Sequence, residues 1–508
     1  MKKIMLWTMI LSLTLTACQL RLYPAPEATP GASPPETQPA PDKSENPFSS
    51  YPSVFKSGLI PAHQHWVTDL ASATRYNIHF VLTDELNRIS GSQEVIYTNN
   101  EEVALEEVQF RLLPNVLSGE MQVTNVKRNG QVVEPKYALR NSLMRVPLEQ
   151  ALQPGQSVNI AIEFSLRVPT QLESNYGILA YYDGVLALAH AYPMVAVYDE
   201  EGWDAEIPPD QGDPTYHDAS FYIVTVDAPD DLVLVGSGIE VQRENNGGRQ
   251  KVMFAAGPAR DFYLAASAAY QVLTQNAEGV TVNSYYRGDG KEGAQAALDF
   301  TLDTLRVFGA RYTPYPYSEY DIVPTPTYAL GIEYPGVVAI TENLYDMQAA
   351  SYGMPNRALM ESVVVHEGAH QWFYNMIGND QLEEPWLDES LSQFVTWQYY
   401  EDLYGPGGGE GFAASLHGRW QRVELAEIPI GQHVGSYEGP EYSAIVYGRG
   451  AFFFDELRTL MGAETFDAFM QDYAEAHTWG IASGESLKLL AEAHCQCKLD
   501  KLYEAWVQ

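Results

Sequence analysis

Two histidines four residues apart, with a glutamate between them, offer the clearest chemistry in this 508-residue chain: His366-Glu367-Gly368-Ala369-His370. On a helix, side chains four apart lie on one face, so both imidazoles can reach a single cation. A catalytic zinc site takes three protein ligands and keeps a fourth position open for water. Glu389, nineteen residues beyond His370, supplies a carboxylate of the right kind. Asp388 reads as the cap of a second helix, which would put Glu389 in that helix's first turn. His366, His370 and Glu389 are therefore the candidate ligands for one Zn2+ ion. Glu367 sits beside the metal without ligating it. That is the place for a general base, because zinc brings the pKa of its water toward about 7. The chemistry is hydrolysis.

The elements that carry these groups must be anchored. Val365, Ala369, Trp372 and Met376 form an apolar stripe beside the histidines, and a helix over 356–377 fits that period. Gly368 is a poor helix former within it. A second helix fits 386–404, running through Phe394, Val395, Gln398 and Tyr399. Further helices are expected over 291–309, 449–461, 464–476 and 484–505, after a strand-like stretch from Val280 to Tyr286. Earlier in the chain the signals are β. Tyr76, Ile78, Phe80 and Leu82 recur at every second position, and Phe221-Tyr222-Ile223-Val224-Thr225-Val226 reads as a buried strand. Asn129-Gly130 and Asn246-Gly247-Gly248 look like hairpin turns. The expected fold class is multidomain: a sandwich-like, all-β domain over 58–272, then a mainly helical α/β catalytic domain over 273–508.

These segments together resemble the aminopeptidase N family of zinc metallopeptidases, the gluzincins. HEGAHQW is followed, with eighteen residues between it and His370, by the glutamate of WLDES, where that family writes WLNEG. Leu330-Gly331-Ile332-Glu333-Tyr334-Pro335 stands where the family has its exopeptidase motif GAMEN. Only Glu333 matches it letter for letter, Gly331 replaces alanine, and Tyr334 replaces asparagine. Val446-Tyr447-Gly448-Arg449-Gly450-Ala451 is similar to the family's Tyr-x-Lys-Gly-Ala segment, with Arg449 in place of lysine. Phe308-Gly309, Tyr315-Pro316-Tyr317 and the run from Arg260 to Ala265 are further landmarks, so the likeness runs from about residue 60 to 508.

The resemblance implies a saddle-like β domain, a thermolysin-like catalytic domain, and one Zn2+ per chain on His366, His370 and Glu389. It implies that Glu367 passes a proton from water to the leaving amine and that Tyr447 donates to the tetrahedral oxyanion. Glu333 would bind the free α-amino group of a peptide substrate, and Gly331 would let the backbone approach that substrate closely. It supplies no second amine-binding carboxylate from the β domain. The large C-terminal helical domain of longer family members has no counterpart in this sequence, which implies a more open cleft.

Composition and the N-terminus bound the setting. With 66 acidic against 30 basic residues the net charge is −36, which repels nucleic acid and excludes it as a partner. Lys2 and Lys3 precede an apolar run, and Leu15-Thr16-Ala17-Cys18 resembles a bacterial lipobox. Residues 1–18 therefore read as a lipoprotein signal peptide ending at a lipidated Cys18. Residues 19–57 read as a disordered, Pro-rich linker. The expectation is a monomer anchored to the cell membrane by lipid, on its extracytoplasmic side. Cys495 and Cys497 are too close in sequence for a disulfide framework, and with His494 they match no usual zinc spacing. Two thiols on a C-terminal helix are expected. Two other functions stay open: a zinc endopeptidase or other hydrolase on the same scaffold, and a non-catalytic surface lipoprotein that binds ligands.

Overall fold

In the computed structural model, which describes residues 53–172 and 175–508, the side chains of Tyr76, Ile78, Phe80 and Leu82 all turn inward. The signal peptide, Cys18 and most of the Pro-rich linker lie outside the described residues. Arg75–Leu82 is a central strand of an eight-stranded sheet. It pairs antiparallel with Arg88–Thr98 and parallel with Ser220–Pro229. Both sequence-predicted turns close hairpins. Asn129 and Gly130 join Glu120–Arg128 to Gln131–Val132, and Gly247 and Gly248 join Ile239–Asn246 to Arg249–Ala259. All four turn residues have positive φ, as a two-residue hairpin loop requires. Two four-stranded sheets complete this all-β region, and Ile78, Val95, Phe110, Val146, Leu186 and Leu264 share its core.

The second region begins with a five-stranded sheet. Its order is Gln271–Ala277, Val280–Tyr286, Glu319–Thr325, Val337–Thr341 and Gly331–Tyr334. The last of these is an edge strand, antiparallel to its neighbour. Five helices build the site and its surroundings: α1 (Lys291–Arg311), α2 (Asn356–Ala369), α3 (Leu391–Tyr404), α4 (Pro406–Trp420) and α5 (Gly450–Met461). The stripe of Val365, Ala369, Trp372 and Met376 is fully buried. Gly368 turns out to be required by packing: a Cβ there would lie 2.6 Å from Thr304 Cγ2 on α1. Among the described residues no helix is long and apolar enough to cross a membrane.

Several sequence expectations need correction. The helix over 356–377 stops at Ala369, although the apolar period runs on to Met376. Tyr374 has φ 145°, which no helix accommodates, and the carbonyls of Asn375 and Met376 accept from Arg260 instead. The helix over 386–404 begins with a π-helical turn, Trp386–Ser390, before α3. Asp388 lies within that turn and caps nothing. It is buried and accepts from Asn379 Nδ2 at 3.2 Å and Gln381 Nε2 at 2.6 Å. The helix over 484–505 is two helices, Gly484–Cys495 and Asp500–Trp506. They are broken where Gln496 turns left-handed, with φ 51°. Cys495 and Cys497 are joined in a disulfide there and are not two free thiols. Helix α4 is absent from the sequence expectations because four of its first six residues are glycine or proline-flanked glycine, which mask any helical signal.

One buried cation ties the β region to the segment after α2. Arg260 is 1% exposed and donates to four carbonyls: His217 at 3.2 Å, Asn375 at 3.0 Å, Met376 at 3.2 Å and Gly480 at 2.5 Å. Replacing it with methionine would keep much of the volume and orphan those carbonyls. Arg260→Met is expected to lower stability by about 3–5 kcal/mol, read as a shifted midpoint in urea unfolding. An unchanged midpoint would show that this strut contributes nothing.

Candidate active site

Helix α2 presents His366 and His370 on one face, one turn apart, and the next π-helical turn brings Glu389 to meet them. His366 Nε2 lies 3.1 Å from Glu389 Oε2 and 3.3 Å from His370 Nε2. His370 Nε2 lies 3.4 Å from the same carboxylate oxygen. Three donors set tetrahedrally at about 2.0–2.1 Å from one zinc ion stand about 3.3 Å from each other. The triangle therefore has the dimensions of a zinc face. Two imidazole nitrogens at 3.3 Å cannot both carry protons, and a shared cation resolves that contact. The far side of His370 is fixed, with Nδ1 3.0 Å from the Phe373 carbonyl and 3.2 Å from Ser392 Oγ. Such outer contacts orient a ligating imidazole. All three residues are buried, and the residues present fit the ion.

Two π-helical turns deliver two of the site's side chains. Trp386–Ser390 carries Glu389, and Ile445–Arg449 carries Tyr447. A π turn holds an extra residue and rotates the next helical turn about the axis, and such turns gather at functional sites. The two turns are clasped: Ser390 Oγ donates to the Val446 carbonyl at 2.6 Å, and any side chain at Gly450 would overlap Ser390. Tyr447 donates its hydroxyl to Glu389 Oε1 at 2.5 Å, so it reaches the ligand set. Arg449, in the lysine position, points elsewhere. It donates to the carbonyls of Ile428, Ala505 and Trp506 and ties down the C-terminal helix.

Gly331 and Glu333 share one side of the edge strand and both face the site. The space at Gly331 is taken by Glu367: a Cβ would lie 2.5 Å from its Oε1 and 2.6 Å from its Cγ. The glycine thus makes room for the general-base candidate as well as for anything bound beyond it. Glu333 is buried and accepts from Gln381 Nε2 at 3.3 Å. Tyr334 faces the opposite way and stacks on Tyr263 with ring centroids 3.8 Å apart. The tyrosine in this motif is therefore a packing residue between the two regions and does not line the cleft.

Asp213 is the site residue that sequence reasoning missed. It lies in the long irregular stretch between Trp203 and Ser220, where no hydrophobic period marks it. An oxygen of Asp213, one of Glu333 and one of Glu389 lie within 4.8 Å of one another. Burial and the crowding of like charges act together here. Burial, then Glu333, pushes the Glu367 carboxyl well above the usual carboxylate range. Burial, then Asp213, does the same to Glu333, and burial, then Glu389, to Asp213. The cleft they line has a volume of about 540 Å³ and extends past Tyr447 to Met354, Phe412 and Arg419.

Residues 296–506 match the family model described as Peptidase family M1 domain. Aminopeptidase M1 of Arabidopsis thaliana is 27% identical over 296 residues, covering 56% of this chain and 33% of that protein. The chain spans about a third of the length of the curated relatives it matches. The M1 zinc metallopeptidase of Deinococcus radiodurans aligns over 90% of this chain and 96% of that one, with a TM-score of 0.65 and 20% identity. A mutant of that enzyme bound to the substrate Tyr-Ser-Ala aligns over the same shares, with a TM-score of 0.62 and 19% identity. This chain and both structures share one fold. For the metal centre, elemental analysis of the purified protein is expected to give about one zinc per chain. Glu389→Ala should bring that close to zero while unfolding stays cooperative; retention of zinc by this variant would remove Glu389 from the ligand set.

Proposed function

We propose that this chain, whose residues 296–506 match the M1 peptidase family domain, is a zinc-dependent aminopeptidase, removing residues from the N-termini of peptides. The observation that carries this reading is the carboxylate pair of Glu333 and Asp213 beside the zinc-ligand triangle. Two carboxylates withdrawn from water and facing each other call for a cation between them, and a peptide's α-ammonium supplies one. With the ammonium held there, the first peptide bond falls at the metal centre.

Zinc on His366, His370 and Glu389 would polarise the scissile carbonyl and acidify the attacking water. Glu367 accepts the proton from that water and delivers it to the departing amine. A buried carboxyl held above the usual carboxylate range is suited to both transfers. Tyr447, already hydrogen-bonded to Glu389, is within reach of the oxyanion as a donor, an interaction typically worth about 3 kcal/mol in the barrier. Glu333 and Asp213 orient the substrate and exclude peptides that lack a free amine. An endopeptidase would leave this carboxylate pair uncompensated.

Two experiments test the reading. Glu367→Gln should keep its zinc and lose about 10³- to 10⁴-fold in turnover of an aminoacyl coumarin amide. The wild-type protein should leave the N-acetylated form of the same substrate uncut; equal rates on free and blocked substrates would refute amine recognition. Separately, Gly331→Ala should displace Glu367 without touching the metal ligands. Zinc content is expected to hold while kcat falls about 100-fold, and an unaffected kcat would mean that Glu367 has room to spare.

A further inference from the structure

The cleft is lined by charges of both signs. Glu333 and Asp213 line one wall; Arg419, near the end of α4, and Arg422 just beyond it line another. Arginines in this acidic chain commonly have carboxylate partners. Arg249 meets Asp227, Arg287 meets Glu342, and Arg311 meets Asp402. The side chains of Arg419 and Arg422 have no hydrogen bond or ion pair among the described residues. Arg419 is half-buried, and its guanidinium carbon sits 5.5 Å from the centroid of the Tyr447 ring. Burial pulls its pKa down, and the Glu389 carboxylate beyond Tyr447 offsets this only in part. An unpaired guanidinium at the wall of a cavity is costly in the free protein and is relieved by an anion that enters it.

The planar fork of an arginine matches a carboxylate. We infer that Arg419 and Arg422 bind the free C-terminal carboxylate of short peptides, so that the enzyme reads both ends of its substrate. This rests on the aminopeptidase reading. Its reach is set by the geometry. Tyr447 links the two sides, with its ring under the Arg419 guanidinium and its hydroxyl donating to Glu389. At about 3.3–3.6 Å per extended residue, a chain of roughly two to four residues brings its carboxylate to the arginines while its ammonium meets Glu333 and Asp213. A cavity of about 540 Å³ suits a ligand of that size. A carboxylate at the chain end is present in every short peptide, so this recognition is independent of sequence.

The test compares Ala-Ala-Ala with its C-terminal amide, taking the ratio of kcat/KM values within each protein so that general losses of activity cancel. The wild type should favour the free acid about 10- to 100-fold, chiefly through KM. In the R419Q/R422Q double variant the ratio should fall to about one, and Arg419→Lys should keep part of the preference. A wild-type ratio near one overturns the inference whether or not the variants fold. An amidated peptide with glutamate at its second position, cut as well as the free acid, would also overturn it, because the arginines would then read a side chain. Cleavage of an aminoacyl coumarin amide, which has no carboxylate, separates the two levels. If the wild type cannot cut it, the aminopeptidase reading fails. If it cuts it but treats acid and amide alike, only the carboxylate inference fails.

Discussion

Everything at this site depends on compensating negative charge in a place from which water is largely withdrawn. Glu389, Glu367, Glu333 and Asp213 converge on one cleft, with only two imidazoles deep among them. Burial and mutual repulsion push the carboxyls of Glu367, Glu333 and Asp213 well above the usual carboxylate range. The arrangement becomes reasonable once two cations are supplied: a divalent ion at the His366, His370 and Glu389 triangle, and an ammonium between Glu333 and Asp213. The same electrostatic demand thus underlies both the metal site and the proposed selection of a free amine.

Holding like charges together takes rigid support, and the fold provides it through close backbone approaches. Gly368 lets α2 lie against Thr304 of α1, and Gly450 lets the two π-helical turns meet at Ser390. Gly331 opens the edge strand for Glu367. From below, Arg260 holds the carbonyls of Asn375 and Met376 and so fixes the path of the chain beyond the second histidine, which caps α2. None of these residues is a metal ligand. Each removes a freedom that the carboxylates would otherwise use to move apart.

How much is legible in the sequence depends on the range of the forces involved. The period of four that pairs His366 with His370 is local, and so is the alternation that builds Arg75–Leu82; both are visible in a short window. The hairpins at Asn129-Gly130 and Gly247-Gly248 are legible for the same reason. The end of α2 is not, because its apolar period runs on to Met376 and the interruption comes from Arg260, more than a hundred residues away. Asp388 resembles a cap because an aspartate before a helix commonly is one. Its partners Asn379 and Gln381 lie on a preceding loop whose path no periodicity reveals. Helix α4 is hidden by its glycines. Asp213 is the extreme case. A lone acid in an irregular stretch carries no signal until the fold sets it beside Glu333.

That Asp213 comes from the β region gives this region a part in selectivity beyond covering the helices. Zinc ligands and Glu367 all belong to the second region, so bond cleavage could in principle be arranged there alone. Recognition of the amine could not, because one of its two carboxylates arrives from the other side. The stacked pair of Tyr263 and Tyr334 and the four bonds of Arg260 fix the two regions against each other at that boundary. A shift between the regions would separate Asp213 from Glu333 while leaving the His366, His370 and Glu389 triangle intact. Under the proposed function, the contacts between the regions would govern which peptides are accepted, and the contacts within the second region would govern whether a bond can be broken at all.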